Sequence, residues 1–433
     1  MNEKTSEGLI RAIGVRTLAL NAVNLTVGAG IFTLPALVAL QLPTTGFLAY
    51  GVCAALSTCV LLCFIESGSS VTHSGGLYVY IQSAFGPLVA FVISTLFWFG
   101  YCLMASAAVS NIVCDNLSIF FPLLQQPIIR IVFQALLFSA IAILNIRGVK
   151  QGARLMEILT YSKMLPLLIL ILVGAFFVEP ENVAVREWPT FKSIGEVSLI
   201  LFFAFGGIES SLTASGEIKN PRRTVPVGIL SGIGIVFLFY VSIHMVAQGV
   251  LGDSLAIETK APLAVVAGKI MGQAGTTLLV MGAVLSGIGL VSGDILTSSR
   301  LPYAAARDGL LPSFLAKVHP VFSTPYAAIG VYAGLGFLLA ISGGFRQLAV
   351  LASAALLCVY LFVILATIKL RKTKPPGSFI IPGGLTIPIF ALIATLWFLS
   401  NLAKQEIVLL AGFLVVCTII YVVTTWIQRK KSK

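Results

Sequence analysis

Charge is what this sequence has least of. Only 10% of its 433 residues are Asp, Glu, Lys or Arg, while 58% are hydrophobic. A soluble globular chain carries about 25% charged residues, so this one lacks the polar surface that a water-soluble enzyme or a nucleic-acid-binding protein needs. Histidine is scarcer still. His73, His244 and His319 share no spacing, and by pattern they offer neither a metal site nor a proton relay. The seven cysteines (Cys53, Cys59, Cys63, Cys102, Cys114, Cys358, Cys417) lie in or beside apolar segments without paired or metal-ligand spacing. That excludes a disulfide scaffold and reads as core packing. Catalytic constellations are missing too: there is no His-Glu-x-x-His and no Asp-rich motif, and Ser74-Gly75-Gly76 has no histidine base. No enzymatic activity, metal or cofactor is expected. A cleavable signal is not expected either, because the first 16 residues are polar and the first apolar run is longer than a signal-peptide core.

What the chain does have is length in its apolar runs. Stretches of roughly 20 residues recur from Leu18 to Trp426, the length that crosses a hydrocarbon core about 30 Å thick. Breaking the chain at polar and Pro/Gly-rich points gives twelve spans: 17–40, 46–68, 78–112, 127–146, 157–178, 194–217, 225–251, 274–300, 324–343, 347–370, 384–403 and 407–427. The expected fold class is an all-α integral membrane protein with twelve transmembrane helices in the lipid bilayer. With the N-terminus inside, the inner segments hold 20 of the 28 Lys and Arg residues. The outer segments hold seven (Arg130, Arg186, Lys192, Lys260, Lys269, Arg346, Lys404), and Lys163 falls within a span. Cations favour the cytoplasmic side. Both tails, 1–16 and 428–433, are therefore expected in the cytoplasm, below a plasma or inner membrane. The net charge of +12 then reads as anchoring at the lipid surface, with no nucleic-acid partner.

Two spans are interrupted near their middles. The first reads Asn24-Leu25-Thr26-Val27-Gly28-Ala29-Gly30-Ile31-Phe32 and the sixth Phe202-Phe203-Ala204-Phe205-Gly206-Gly207-Ile208-Glu209. One Gly-x-Gly alone reads more readily as a close helix contact through small residues. Two of them, five spans apart, point instead to a 5+5 inverted repeat, 17–178 and 194–370, with 384–427 as two peripheral helices. In such folds discontinuous helices 1 and 6 meet at the bilayer midplane and bind substrate by alternating access. Their freed N–H groups suit a carboxylate and their freed carbonyls an ammonium, so a zwitterion fits both.

At these residues the chain resembles amino-acid transporters of the amino acid–polyamine–organocation superfamily, which have the leucine-transporter fold. The resemblance rests on Gly28 to Phe32, on Phe202 to Glu209 with Lys219-Asn220-Pro221, and on Ser74 to Tyr80 at the opening of helix three. It extends through Ser299 to Pro312 after helix eight and Thr324-Pro325 before helix nine. It implies a permease for a small-molecule amino-acid substrate. The substrate carboxylate would lie on the N–H groups of Ala29 and Gly30, beside Gly28, and its amino group on the carbonyls of Thr26, Phe203 and Gly206. Phe203 matches the aromatic position that closes over substrate in relatives; a core phenylalanine also simply packs.

Ionisable groups inside a span are costly and mark function by default. Lys163 lies six residues into span five. Snorkelling to the inner face is one account of it. The resemblance, through Asn145, Gly148 and Lys150, implies another, since many sodium-independent members carry a lysine where sodium-coupled relatives hold a cation. Sodium coupling is therefore not expected and proton coupling is possible. Asp294 stands where relatives often have serine, and a Lys163–Asp294 pair between helices five and eight is expected as a hypothesis; Asp294 facing another helix or a water cavity is the alternative. Glu209, two residues past the second break, either gates and moves protons or caps loosened backbone. Glu66 reads as part of an inner polar network. The pocket's apparent neutrality leans towards neutral amino acids by symport, with exchange, including cationic amino acid or polyamine antiport, as the other reading.

Overall fold

The computed structural model describes residues 14–70, 76–148, 152–209, 218–307, 309, 311–373 and 379–431. His73, Ser74, Gly75, Lys150, Asp308, Lys374, the end of the sixth span (210–217) and the tail cations Lys4, Arg11 and Lys433 lie outside the described residues. Among those described, the regular structure is helical. The helices are α1 (Val15–Thr26), α2 (Leu34–Ala39), α3 (Gly46–Ser70), α4 (Gly76–Phe85), α5 (Pro87–Thr95), α6 (Met104–Leu117), α7 (Pro127–Arg147), α8 (Gly152–Gly174) and α9 (Pro180–Val183). They continue with α10 (Phe191–Leu201), α11 (Pro221–Leu251), α12 (Pro262–Ser298), α13 (Arg300–Arg307), α14 (Tyr326–Ser342), α15 (Phe345–Thr373), α16 (Thr386–Ser400) and α17 (Lys404–Lys431). Hydrocarbon offers no partners for backbone N–H and C=O groups, so a segment that crosses it must satisfy them internally, as a helix does.

Among the described residues, seven helical stretches are long and apolar enough to cross a membrane, including Gly46–Gly68, Pro87–Leu117, Pro127–Arg147 and Phe345–Thr373. Shorter apolar helices cover Tyr161–Phe177, Tyr326–Ser342 and Thr386–Ser400. The first and sixth spans escape a length criterion because each is broken. Two of the long helical stretches are divided. The third span does not run continuously from 78: Gly86, at φ 87°, followed by Pro87, separates α4 from α5. It then passes through a π-helical turn, Leu96–Leu103, before α6. The eighth span keeps its expected start near 274: Gly272, where φ is 62° and ψ −154°, is non-helical and divides it from a separate apolar helix over 262–271 that the sequence did not predict.

One apolar core joins nearly all of these helices. Within it α1 lies along α11, and α12 is held between α6 and α8. In contrast, α17 turns Val408, Leu409, Val415, Val416 and Ile419 outwards, which suits a helix whose solvent on one side is lipid. The arrangement brings α1, α10, α6, α8 and α12 around one central cavity.

Candidate functional site

The two interruptions build the site. α1 ends at Thr26, Val27 and Gly28 are extended, and a single 3-10 turn, Ala29–Phe32, resumes the direction towards α2. α10 likewise gives way to a 3-10 turn, Phe202–Phe205, and stops at Gly206–Gly207. Gly207 has a φ of 103°, and a Cβ there would lie 2.7 Å from the carbonyl oxygen of Leu25. Glycine is needed at this point both for the backbone angle and because the two breaks touch. Gly30 is needed for a different reason: its Cβ would sit 3.0 Å from the Phe203 ring. Phe203 thus sets its Cδ1–Cε1 edge against the first break, and its ring and that of Phe345 of α15 are in edge-to-face contact, with centroids 5.6 Å apart.

Below this aromatic ceiling is a cavity of about 500 Å³, within the size range of small-molecule sites. Both breaks line it, with Phe97, Tyr101, Lys163 and Asp294, and it extends past Thr297 and Leu301. Of the sequence-predicted residues, Thr26, Gly28, Gly30, Phe203, Gly206, Lys163 and Asp294 therefore come together. Ala29 is buried beside them in the 3-10 turn. The first N–H groups of such a turn have no partner within it.

Several of the freed backbone groups already have protein partners, which the sequence did not predict. The ammonium of Lys163 donates to the carbonyl of Asn24 at 2.6 Å. The hydroxyl of Tyr240, on α11, lies 3.0 Å from the carbonyls of both Thr26 and Ala204 and so bridges the two breaks. A carbonyl oxygen has two lone pairs, so Thr26 can still accept a second donor. The Tyr101 hydroxyl rests directly against Gly206. The carboxylate of Glu209 accepts from the N–H of Gly207 at 3.0 and 3.2 Å and from the Tyr360 hydroxyl at 2.8 Å. It therefore caps the second break and ties it to α15. The only sequence signal for Tyr240 or Tyr360 is a hydroxyl in an apolar run.

The expected Lys163–Asp294 pair does not form. Lys163 is claimed by Asn24, whose helical acceptor position is left open because the chain leaves α1 before Gly28. Asp294 is turned instead to α6, where the hydroxyl of Ser106 donates to it at 2.8 Å. Both side chains are only partly accessible, through the cavity they share. Away from the cavity, Glu66 of α3 pairs with the guanidinium of Arg371 on α15 and accepts from the N–H of Ile381 at 2.8 Å.

Comparison with known proteins agrees with this architecture. Residues 13–432 match the amino acid permease family. The methylthioribose transporter of Bacillus subtilis (strain 168) is 28% identical, over 97% of this chain and 94% of its own length. A branched-chain amino acid permease of the same organism is also 28% identical, over 99% and 95%. The b(0,+)-type amino acid transporter 1 of Mus musculus is 25% identical, over 99% and 91%. These relatives are membrane transporters and not enzymes, and their similarity runs through both helix breaks and the apolar helices around them. With its helical fold and a cavity at paired breaks, the chain is an integral membrane protein that belongs to the amino acid permease family.

Proposed function

We propose that this protein is a secondary active transporter that moves neutral amino acids across the plasma or inner membrane by alternating access, coupled to protons and independent of sodium. Its twelve helices form a 5+5 inverted repeat, 17–178 and 194–370, with two peripheral helices in 384–427 and both tails in the cytoplasm. The observation that carries this reading is the meeting of the two breaks, Gly28 and Gly206–Gly207, across one shared cavity beneath Phe203.

The substrate carboxylate sits at the N–H groups of Ala29 and Gly30, the positive end of a helical turn. Its ammonium takes the remaining lone pairs of the Thr26, Phe203 and Gly206 carbonyls. Substrate arriving from outside must displace Phe203 from Gly30 and Phe345. Helices 1, 2, 6 and 7 then rock against the rest, and the cavity opens past Thr297 and Leu301 towards the cytoplasm. In this scheme Asp294 and Glu209 exchange protons with the cavity and Lys163 holds α1. A second reading, exchange, is favoured by one contact: an ammonium bonded to Asn24 at 2.6 Å acts as a fixed cation in the place of a coupling ion.

Uptake of a panel of labelled amino acids into proteoliposomes, with and without an inward proton gradient and with half the vesicles preloaded, separates these readings. Accumulation in empty vesicles driven by the proton gradient supports symport. Uptake confined to preloaded vesicles makes it an exchanger. If no amino acid on the panel is taken up, the amino-acid reading fails.

A further inference from the structure

Between α3, α10 and α11, running away from the substrate cavity that Tyr240 lines, lies a second set of polar side chains that the transport scheme leaves unused. Tyr240, His244 and Gln248 are spaced four residues apart on one face of α11, so they stack one turn above another. His244 and Gln248 are each 1% exposed, and Tyr50 and Ser198 are 0% exposed. Among the described residues, neither ring nitrogen of His244 has a hydrogen-bond partner, and the Tyr50 hydroxyl, the Gln248 amide oxygen and the Ser198 hydroxyl have none. Buried polar atoms in native proteins are almost always bonded, and five unbonded atoms in one place need an explanation.

These side chains follow one another along the α3–α11 seam. The His244 ring lies against the Tyr50 ring at 5.4 Å and directly on Gly46, which has no side chain to keep it away. Tyr50 faces Tyr240 at 6.4 Å. Ser198 adjoins the same face of α3, because its carbonyl accepts from the Cys53 thiol. One end of the seam is Gln248, whose amide donates to the carbonyl of Asn182 in α9 at 3.3 Å. That segment is partly exposed, and Asn182 also donates to the exposed Glu179 at 3.0 Å. The other end is Tyr240, whose hydroxyl touches the carbonyls at both helix breaks. From there Tyr101, resting on Gly206, continues towards the break that Glu209 caps.

We propose that Gln248, His244, Tyr50 and Tyr240 form a hydrated proton path that meets the amino-acid cavity only at its Tyr240 end and runs between the outer face and the paired helix breaks. The ligand class that suits the seam is water, which both donates and accepts and makes about three bonds when buried. The chemistry of a relay needs both imidazole nitrogens free. A neutral imidazole carries one N–H and one bare nitrogen; it gains a proton on the bare nitrogen from one water and releases the original proton from the other to the next. Nothing is oxidised, and one proton has moved by the width of the ring. The titratable groups facing His244 are Tyr50 and, one turn along, Cys53 of α3, with Tyr240 from its own helix. Ser198 of α10 is polar and Val38 of α2 apolar, and Glu179 supplies a carboxylate at the outer end.

The inference rests on the proton-coupled reading above, and one experiment separates their failures. Wild-type and His244→Phe protein are reconstituted with a pH-sensitive dye inside the vesicles, and dye response and labelled amino-acid exchange are followed together. The expected result is at least a tenfold loss of substrate-driven proton uptake in His244→Phe, with exchange between preloaded vesicles and medium within twofold of wild type. Proton uptake undiminished in His244→Phe overturns the path while leaving proton coupling intact. A wild-type protein that exchanges amino acids without moving protons overturns both. Should His244→Phe lose exchange as well, the decision passes to imidazole nitrogen NMR of wild-type protein labelled at its three histidines, with His244 assigned by loss of its signal in His244→Gln. Tautomer-averaged shifts and rapid exchange with water are expected, and a single locked tautomer shielded from water for hours refutes the path.

Discussion

Gly207→Ala is the sharpest test of the idea that the two breaks act as one unit. Two separate penalties follow from the geometry. A φ of 103° is a region that residues with a Cβ occupy at a cost of about 1–3 kcal/mol. The added methyl would also lie 2.7 Å from the Leu25 carbonyl oxygen, a backbone atom that cannot swing aside, and forced overpacking costs about 1–3 kcal/mol. Even the two lower bounds together, about 2 kcal/mol, correspond to roughly a 30-fold shift in any equilibrium that requires the breaks to touch. The assay is initial-rate uptake in proteoliposomes, beside equilibrium binding of the same labelled substrate in detergent. Uptake should fall at least tenfold. Gly234→Ala is the control, since a Cβ there meets nothing within 4 Å and an alanine in a helix costs nothing relative to glycine. If Gly207→Ala transports within twofold of wild type, the contact between the breaks is not part of the cycle and the site has been misread.

Three further outcomes follow from other contacts. Tyr240→Phe removes the hydroxyl that bridges Thr26 and Ala204; at about 1 kcal/mol for a hydrogen bond, KM for uptake should rise several-fold with little change in detergent melting temperature, and an unchanged KM would count against the bridge. Asp294→Asn keeps the shape beside Ser106 but cannot ionise, so gradient-driven accumulation should drop while uptake into preloaded vesicles persists; identical pH profiles for variant and wild type would remove Asp294 from coupling. Glu66→Gln breaks the ion pair with Arg371 and strands a partly buried guanidinium, which costs about 3 kcal/mol and should lower the melting temperature by several degrees in a fluorescence-based unfolding assay; a change under one degree would show that the pair is not structural.

The fold class was legible because membrane helices announce themselves by length and dryness, and the breaks were legible because paired glycines, Gly28 with Gly30 and Gly206 with Gly207, recur near the middles of two spans five apart. Lys163 stood out for the same reason, as a cation in an apolar run. Its partner did not. A lysine is long enough to reach several helices, and only the packing of α8 on α12 and α1 decides that it finds the Asn24 carbonyl and not Asp294. Tyr240, Tyr360 and His244 were illegible because a helix that is apolar all round carries no periodic signal to say which face a hydroxyl or imidazole occupies. The division of the third span was available in Phe85-Gly86-Pro87, since Gly-Pro is a strong breaker, and was hidden by the unbroken hydropathy on either side.

The π-helical turn at Leu96–Leu103 has a consequence for how this chain is compared with others. Its hydrogen bonds run from i to i+5, so it fits an additional residue into a length that an α-helix would fill with fewer. In a regular helix, losing one residue turns everything beyond it by about 100°. Within the wide turn, losing one would instead restore α-geometry and leave α5 and α6 aimed as before. Residue count and angular position therefore part company there. Set against a relative whose third span is regular, Phe97 and Ser106 cannot both be matched without a one-residue gap, and a gapless comparison would assign the residues facing Asp294 to the wrong side of the helix.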